Sequence, residues 1–264
     1  MRLLVTGSAG SIGRVVVPGL VEAGHEVRGL DRDVQNDAVC ALGVVVGDCT
    51  DPAVAGPAVE GVDAVVHLAG DPGEGSLAHS LTSHTLSTAM LLDAMVDAGV
   101  RRIAYASSNH AVGMTPHSGP VGIDVPPRPD TFYGVAKVAA EAVLSLFADR
   151  HGISAVACRI GSFLPRPQTR RHLATWLSHD DCVRMVDAAV RVDRPGLHLL
   201  WGISANTGAW WDLAPGRALG YEPVDDAEDW ADSLPRRAED AQNDEHVGGP
   251  FAGPAYTRPA GDPA

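Results

Sequence analysis

A doubly wound α/β fold with a parallel sheet is what the sequence predicts, and two observations carry that prediction. Short apolar runs alternate with longer helical patterns through the first 160 residues, and a glycine-rich turn follows the first of those runs. Runs without polar alternation suit strands buried on both faces, as in a parallel sheet covered by helices. A chain of 264 residues, 45% hydrophobic and 20% charged, is long enough for one large domain with a small appendage.

Strands are expected at 3–6, 26–31, 44–47, 64–68, 103–106 and 155–159, with helices near 11–23, 77–98 and 132–150 between them. Past Arg159 the alternation fades into a turn bearing Pro165 and Pro167. A helix over about 178–191 follows, opened by Asp180 and Asp181, whose carboxylates suit a helix N-terminus. A short strand is expected at 197–201. The resulting reading is a single domain over 1–264: a core over 1–160, capping segments over 161–221 beside the sheet's carboxyl edge, and a C-terminal arm over 222–264. That arm is acidic and rich in Ala, Gly and Pro, with one expected helix and a loosely held last dozen residues.

The formal charge is −13, with much of the excess acid between Glu222 and Glu245, which argues against nucleic acid or an anionic membrane as partner. No run of about 18 apolar residues is present to span a bilayer. Arg2 to Gly7 already reads as a strand entering a turn, which leaves no room for a signal peptide and makes a cytoplasmic location the default. Cys40, Cys49, Cys158 and Cys182 contain no C-x-x-C pair, so buried thiols are expected, with no metal site and no disulfide framework. The densest basic cluster runs from Arg166 to His172 and could give a small anion a local field despite the net charge.

The turn Gly7-Ser8-Ala9-Gly10-Ser11-Ile12-Gly13 leaves the first strand and opens the first long helix. Glycines there let the backbone approach a pyrophosphate at the helix N-terminus, where free N–H groups and the helix dipole favour anions. The fold is therefore Rossmann-like, and Gly7, Gly10, Ser11, Ile12 and Gly13 are candidate cofactor ligands. Asp31 ends the second strand 18 residues past the third glycine, where a carboxylate accepts from an adenosine ribose and repels a 2′-phosphate. NAD is expected over NADP, a preference that the adjacent Arg32 tempers. Asp48 and Cys49 end the third strand, and Leu68, Ala69 and Gly70 the fourth, where they would flank the dinucleotide. For Asp48 a helix N-cap is the competing reading.

Tyr133 and Lys137 lie at i and i+4 and so share one face of a helix, downstream of Ser107-Ser108-Asn109-His110. An ammonium beside a phenol is expected to lower its pKa from about 10 toward the range of a useful base.

With these residues in place the chain resembles an extended short-chain dehydrogenase/reductase, and more closely the uronate dehydrogenases. The resemblance is carried by Ala106 to His110, Asp124-Val125-Pro126, Arg128-Pro129-Asp130, Tyr133 to Lys137 and Arg159 to Ser162. It continues through Thr175 to Asp181, Trp201 to Asn206 and Trp210-Trp211-Asp212. It implies Ser108, Tyr133 and Lys137 as the catalytic set, with Tyr133 as base, Ser108 on the same substrate oxygen and Lys137 on the nicotinamide ribose. It further implies Ser108, Asn109, His110, Tyr133, Ser162 and Arg171 as the sugar site, with Arg171 on the substrate carboxylate. A structural role for His110 remains the competing reading. NAD as cofactor, a sugar acid as substrate and a homo-oligomer are also implied.

Two positions depart from the family pattern. Pro72 stands where the family has a pocket Ser, and His84 where the superfamily has an Asn. The expected reaction is oxidation of the anomeric C1 of a hexuronate to an aldarolactone. The alternatives are another extended short-chain enzyme, a nucleotide-sugar epimerase or dehydratase or a secondary-metabolite carbonyl reductase, and a non-catalytic dinucleotide sensor. The intact Ser108, Tyr133 and Lys137 weigh against the sensor.

Overall fold

The computed structural model describes residues 1–33, 40–117, 119–254 and 256. Its first six strands are β1 (Arg2–Thr6), β2 (Glu26–Asp31), β3 (Val44–Val46), β4 (Ala64–His67), β5 (Arg102–Ser108) and β6 (Ser154–Ile160). A short parallel pair, β7 (Ser162–Phe163) and β8 (Trp176–Leu177), stands apart, and β9 (Gly196–Gly202) returns beside β6. The main sheet has the order β3-β2-β1-β4-β5-β6-β9 with every pairing parallel. The winding reverses between β1 and β4. That switch point opens a crevice outside the carboxyl ends of the strands, where ligands of this fold class bind.

The helices are α1 (Gly13–Glu22), α2 (Pro52–Val59), α3 (Leu77–Ser80), α4 (Ser87–Ala98), α5 (Phe132–His151), α6 (His172–Thr175) and α7 (His179–Arg191), followed by a short α8 (Ala214–Ala218). Strand side chains alternate between faces. Leu3 and Val5 pack with Val16, Val17 and Leu20 of α1 and Met185 and Val186 of α7. Leu4 and Val65 face the other way, into Ala58 and Val59 of α2, Leu91 and Leu92 of α4 and Leu144 of α5. Truncating one of these buried leucines to Ala would cost about 2–5 kcal/mol.

The termini of α5 are explicit. Thr131 Oγ1 accepts the Gly134 N–H at 2.8 Å at its start, and Gly152 closes it at φ 66°, a conformation that favours glycine. Between α3 and α4 the chain makes a π-helical turn, Leu81–Leu86, so the single helix expected over 77–98 is locally widened around His84. No helix among the described residues is long and apolar enough to cross a membrane.

Three features correct the sequence reading. Helix α2, which carries Pro52, Gly56 and Pro57, is not among the expected helices. Pro52 lies at the helix start, the Asp51 side chain accepts the Ala53 N–H at 2.9 Å, and Ala55, Ala58 and Val59 are buried. The segment 161–221 is more than a cap, since α7 covers one face of the sheet and β9 is its seventh strand. Residues 222–249 are docked rather than arm-like: buried Asp181 accepts the Val224 and Asp225 N–H groups at 2.9 and 3.0 Å, and Val247 joins Trp201, Ile203 and Trp211 in a small core. Three short helical turns, Ala227–Ser233, Asp240–Asn243 and Gly249–Ala252, replace the one helix expected in the C-terminal arm. Most of the last dozen residues lie outside the described residues.

Candidate active site

The glycine turn is shaped for close approach. Gly7 has φ +69°, and a Cβ on it would fall 2.8 Å from the Ala69 nitrogen, while one on Gly13 would strike the Gly7 carbonyl. The N–H groups of Ser11, Ile12 and Gly13 open α1 where a helix has no partners of its own to offer them. Asp31 accepts the Ala9 N–H at 2.8 Å and the Asp33 N–H at 3.2 Å, so its carboxylate ties the turn to the end of β2. These residues fit a dinucleotide. A cleft of about 420 Å³ brings Gly7, Gly10, Asp31, Asp48, Cys49, Leu68, Ala69 and Gly70 together with Arg14 and Arg32.

Asp48 is not the helix cap, a position taken by Asp51. It accepts from the Thr50 backbone N–H and hydroxyl at 2.9 and 2.8 Å, and the backbone bond is the main cause holding its carboxyl below the usual value. Burial pushes the Cys49 thiol up to about 11, so it lines the cleft as a neutral group.

A second cleft of about 290 Å³ shares Gly7, Gly10, Leu68 and Gly70 with the first and adds Ser11, Ile12, Gly13, Pro72, His84, Ser108, Tyr133 and Lys137. Ser108 is delivered by the end of β5 and the other pair by the first turns of α5. Burial pushes the Tyr133 phenol up to about 12, opposed by its hydrogen bond with Ser108. Burial also lowers the Lys137 ammonium to about 7, opposed by Glu141. The expected lowering of the phenol by Lys137 is therefore not seen in the chain by itself. Lys137 is buried and Tyr133 half-buried, and the ammonium donates to the Ala106 carbonyl at 2.6 Å, 5.3 Å from the centre of the phenol ring.

The surroundings of this pair were not anticipated. Glu74 accepts the Phe132 and Tyr133 N–H groups at 2.9 and 3.0 Å. Glu141, one turn beyond Lys137, accepts from Ser107 at 2.6 Å and from Arg159 at 3.0 and 2.8 Å, so Ser107 serves this buried pair and Ser108 is the serine beside the phenol. The i+4 spacing of Glu141 from Lys137 was a usable signal; nothing local marked Glu74. His84 meets the Tyr133 ring edge-on at 5.0 Å and donates from Nε2 to the Asp71 carbonyl at 2.8 Å. Burial first, then Lys137, brings its pKa down to about 3.

A third cleft, of about 300 Å³, adjoins the second at Gly161 and gathers Asn109, His110, Ser162 and Arg171. Ser162 and Thr175 share a hydrogen bond at 2.9 Å, and His110 Nδ1 faces both oxygens of buried Asp130 at 3.0 and 2.9 Å. Asn109 donates to the Val247 carbonyl at 3.2 Å. Arg171 is partly engaged: its Nη1 donates to the Asn243 carbonyl at 3.0 Å and its Nη2 to the Val247 carbonyl. Among the described residues its Nε–H has no hydrogen-bond partner. Arg170, its neighbour, anchors the Ala231 and Leu234 carbonyls at 3.4 Å each.

The NAD dependent epimerase/dehydratase family matches the chain over residues 3–193. The uronate dehydrogenase of Pseudomonas putida is 35% identical over 95% of each chain. The NAD-dependent glucose-6-phosphate dehydrogenase of Haloferax volcanii is 34% identical, over 85% of this chain and 94% of that one. A crystal structure of a variant uronate dehydrogenase from Agrobacterium tumefaciens complexed with NAD superposes with a TM-score of 0.88 at 35% identity, covering 95% of this chain and 96% of that chain.

Proposed function

The chain belongs to the NAD-dependent epimerase/dehydratase family, and from that premise we propose that it oxidises the anomeric C1 of a hexuronic acid, glucuronate or galacturonate, to the aldarolactone. It is an NAD-dependent oxidoreductase of the uronate dehydrogenase group. The observation that carries the substrate reading is the joining of clefts: Ser108, Tyr133 and Lys137 line the one that adjoins, at Gly161, the one holding Asn109, His110, Ser162 and Arg171.

NAD, held by the turn from Gly7 to Gly13 and by Asp31, would supply the hydride acceptor and bring a positive charge to the cleft. That charge would add to the Ser108 hydrogen bond against the burial that holds Tyr133 high. Ser108 and Tyr133 take the C1 hydroxyl between them, and Tyr133 as phenolate receives its proton. Lys137, with one N–H on Ala106, would hold the nicotinamide ribose with the others. Arg171 takes the C6 carboxylate through the edge bearing Nε–H and the second Nη2–H, because its other donors hold residues 243–247. Ser162 and Asn109 address ring hydroxyls, and enclosure of the reacting carbon supplies orientation.

Glucuronate deuterated at C1 tests the reaction directly. The deuterium should appear in the reduced nicotinamide and the first product should be a lactone. Deuterium retained in the sugar, or transfer only with glucose 6-phosphate as the Haloferax volcanii relative's name would suggest, would contradict the reading.

A further inference from the structure

Asp130 is a fully buried carboxylate that the proposed chemistry does not use. Its side chain is 0% exposed while that of His110 is 20% exposed, and both its oxygens lie within 3.0 Å of His110 Nδ1. Cβ atoms on Gly113 or Gly248 would collide with it, so two glycines from different parts of the chain enclose the carboxylate. The Gly248 N–H donates to the Gly113 carbonyl at 2.8 Å and holds that enclosure shut. Helix capping does not account for Asp130, because Thr131 and Glu74 already satisfy the first N–H groups of α5.

We propose that Asp130 is a positioning residue that fixes His110 as the Nδ1–H tautomer and so decides which end of the substrate faces it. A carboxylate can only accept, so the proton facing Asp130 sits on Nδ1, and the neutral form of the ring keeps a lone pair on Nε2. His110 lines the same cleft as Arg171. A lone pair there accepts from a hydroxyl and repels a carboxylate oxygen. It therefore admits the hydroxyl-bearing part of a sugar acid and leaves the carboxylate to Arg171. This deepens the uronate reading and rests on it for the identity of the substrate; the tautomer itself does not.

The test uses the full-length protein with labelled histidine nitrogens, His110→Ala for assignment, and two variants, Asp130→Ala and Asp130→Asn. The parent should show His110 protonated on Nδ1. In Asp130→Ala the proton should move to Nε2, and KM for glucuronate should rise about tenfold or more with kcat changed far less, the loss expected when a buried partner is removed. Asn keeps an oxygen that can accept from Nδ1, so Asp130→Asn should restore the tautomer and return KM to within about threefold. An Nδ1–H tautomer that survives in Asp130→Ala, or a tautomer reversed in either variant with KM unchanged, would overturn the proposal. The nitrogen spectra need no substrate. A parent enzyme that shows the predicted tautomer yet leaves uronates untouched would therefore fail the substrate reading and spare the tautomer assignment.

Discussion

Glu74 accepts the backbone N–H of Tyr133 at 3.0 Å, with its other oxygen on the Phe132 N–H at 2.9 Å. The loop after β4 is thereby fastened to the helix end that carries the phenol, and a carboxylate sits where the helix dipole favours it.

Replacing Glu74 by Ala should cost about 1–2 kcal/mol of stability through the lost cap. It should also lower kcat by about tenfold, because the first turn of α5 no longer holds the phenol against Ser108. Gln, which keeps one acceptor, should fall between. Thermal unfolding and initial rates on the three proteins check this. An unchanged kcat in Glu74→Ala would remove the loop from the positioning of Tyr133.

The Tyr133 phenol, held up to about 12 by burial, should be fully protonated at neutral pH without cofactor. Carbon NMR of labelled tyrosine, assigned with Tyr133→Phe, should show no phenolate at that position up to about pH 10, the ordinary tyrosine value. Saturating NAD should move the titration downward. A phenolate near neutral pH in the cofactor-free protein would mean that Lys137 lowers the phenol by itself. Tyr133→Phe should keep NAD binding and lose turnover.

Lys137 is buried and its pKa falls from 10.5 to about 7. Below about 7 both folded and unfolded chains carry its charge, and the folded state bears the full penalty. Between 7 and 10.5 the unfolded chain binds more protons, so this contribution to stability rises with pH. Lys137→Met should accordingly be inactive but more stable at pH 6, by about 1–3 kcal/mol. That advantage should shrink toward pH 10, and an advantage independent of pH would contradict the assignment.

Gly249 has φ +64°, and a Cβ there would lie 2.5 Å from Arg171 Nε. Gly249→Ala should therefore cover the guanidinium edge left for a carboxylate. KM for a uronate should rise about tenfold or more while the rate on a neutral hexose is little changed, with roughly 1 kcal/mol of backbone strain besides. Equal effects on both sugars would argue against that edge as the anion site.

Local signals carried most of the fold and the centre of the site. The alternation of strands and helices, the turn from Gly7 to Gly13 and the i, i+4 pair Tyr133 and Lys137 are written within a few residues of one another. What was missed depends on distant chain segments. Arg171 holds carbonyls of Asn243 and Val247, and every residue has a carbonyl, so composition gives no hint of that contact. Asp130 stood in a recognised stretch, but its partner His110 lies 20 residues earlier across a loop. The expectation for the phenol erred because spacing reports which groups meet and not how far water is excluded from both.

Initial-rate NADH formation with glucuronate, galacturonate, glucose and galactose, each with NAD, addresses the central claim most directly. The account predicts turnover of the two uronates, little or none with the neutral hexoses, and loss of that preference in Arg171→Ala. Equal rates on uronates and hexoses, or no uronate turnover with NAD binding intact, would contradict it.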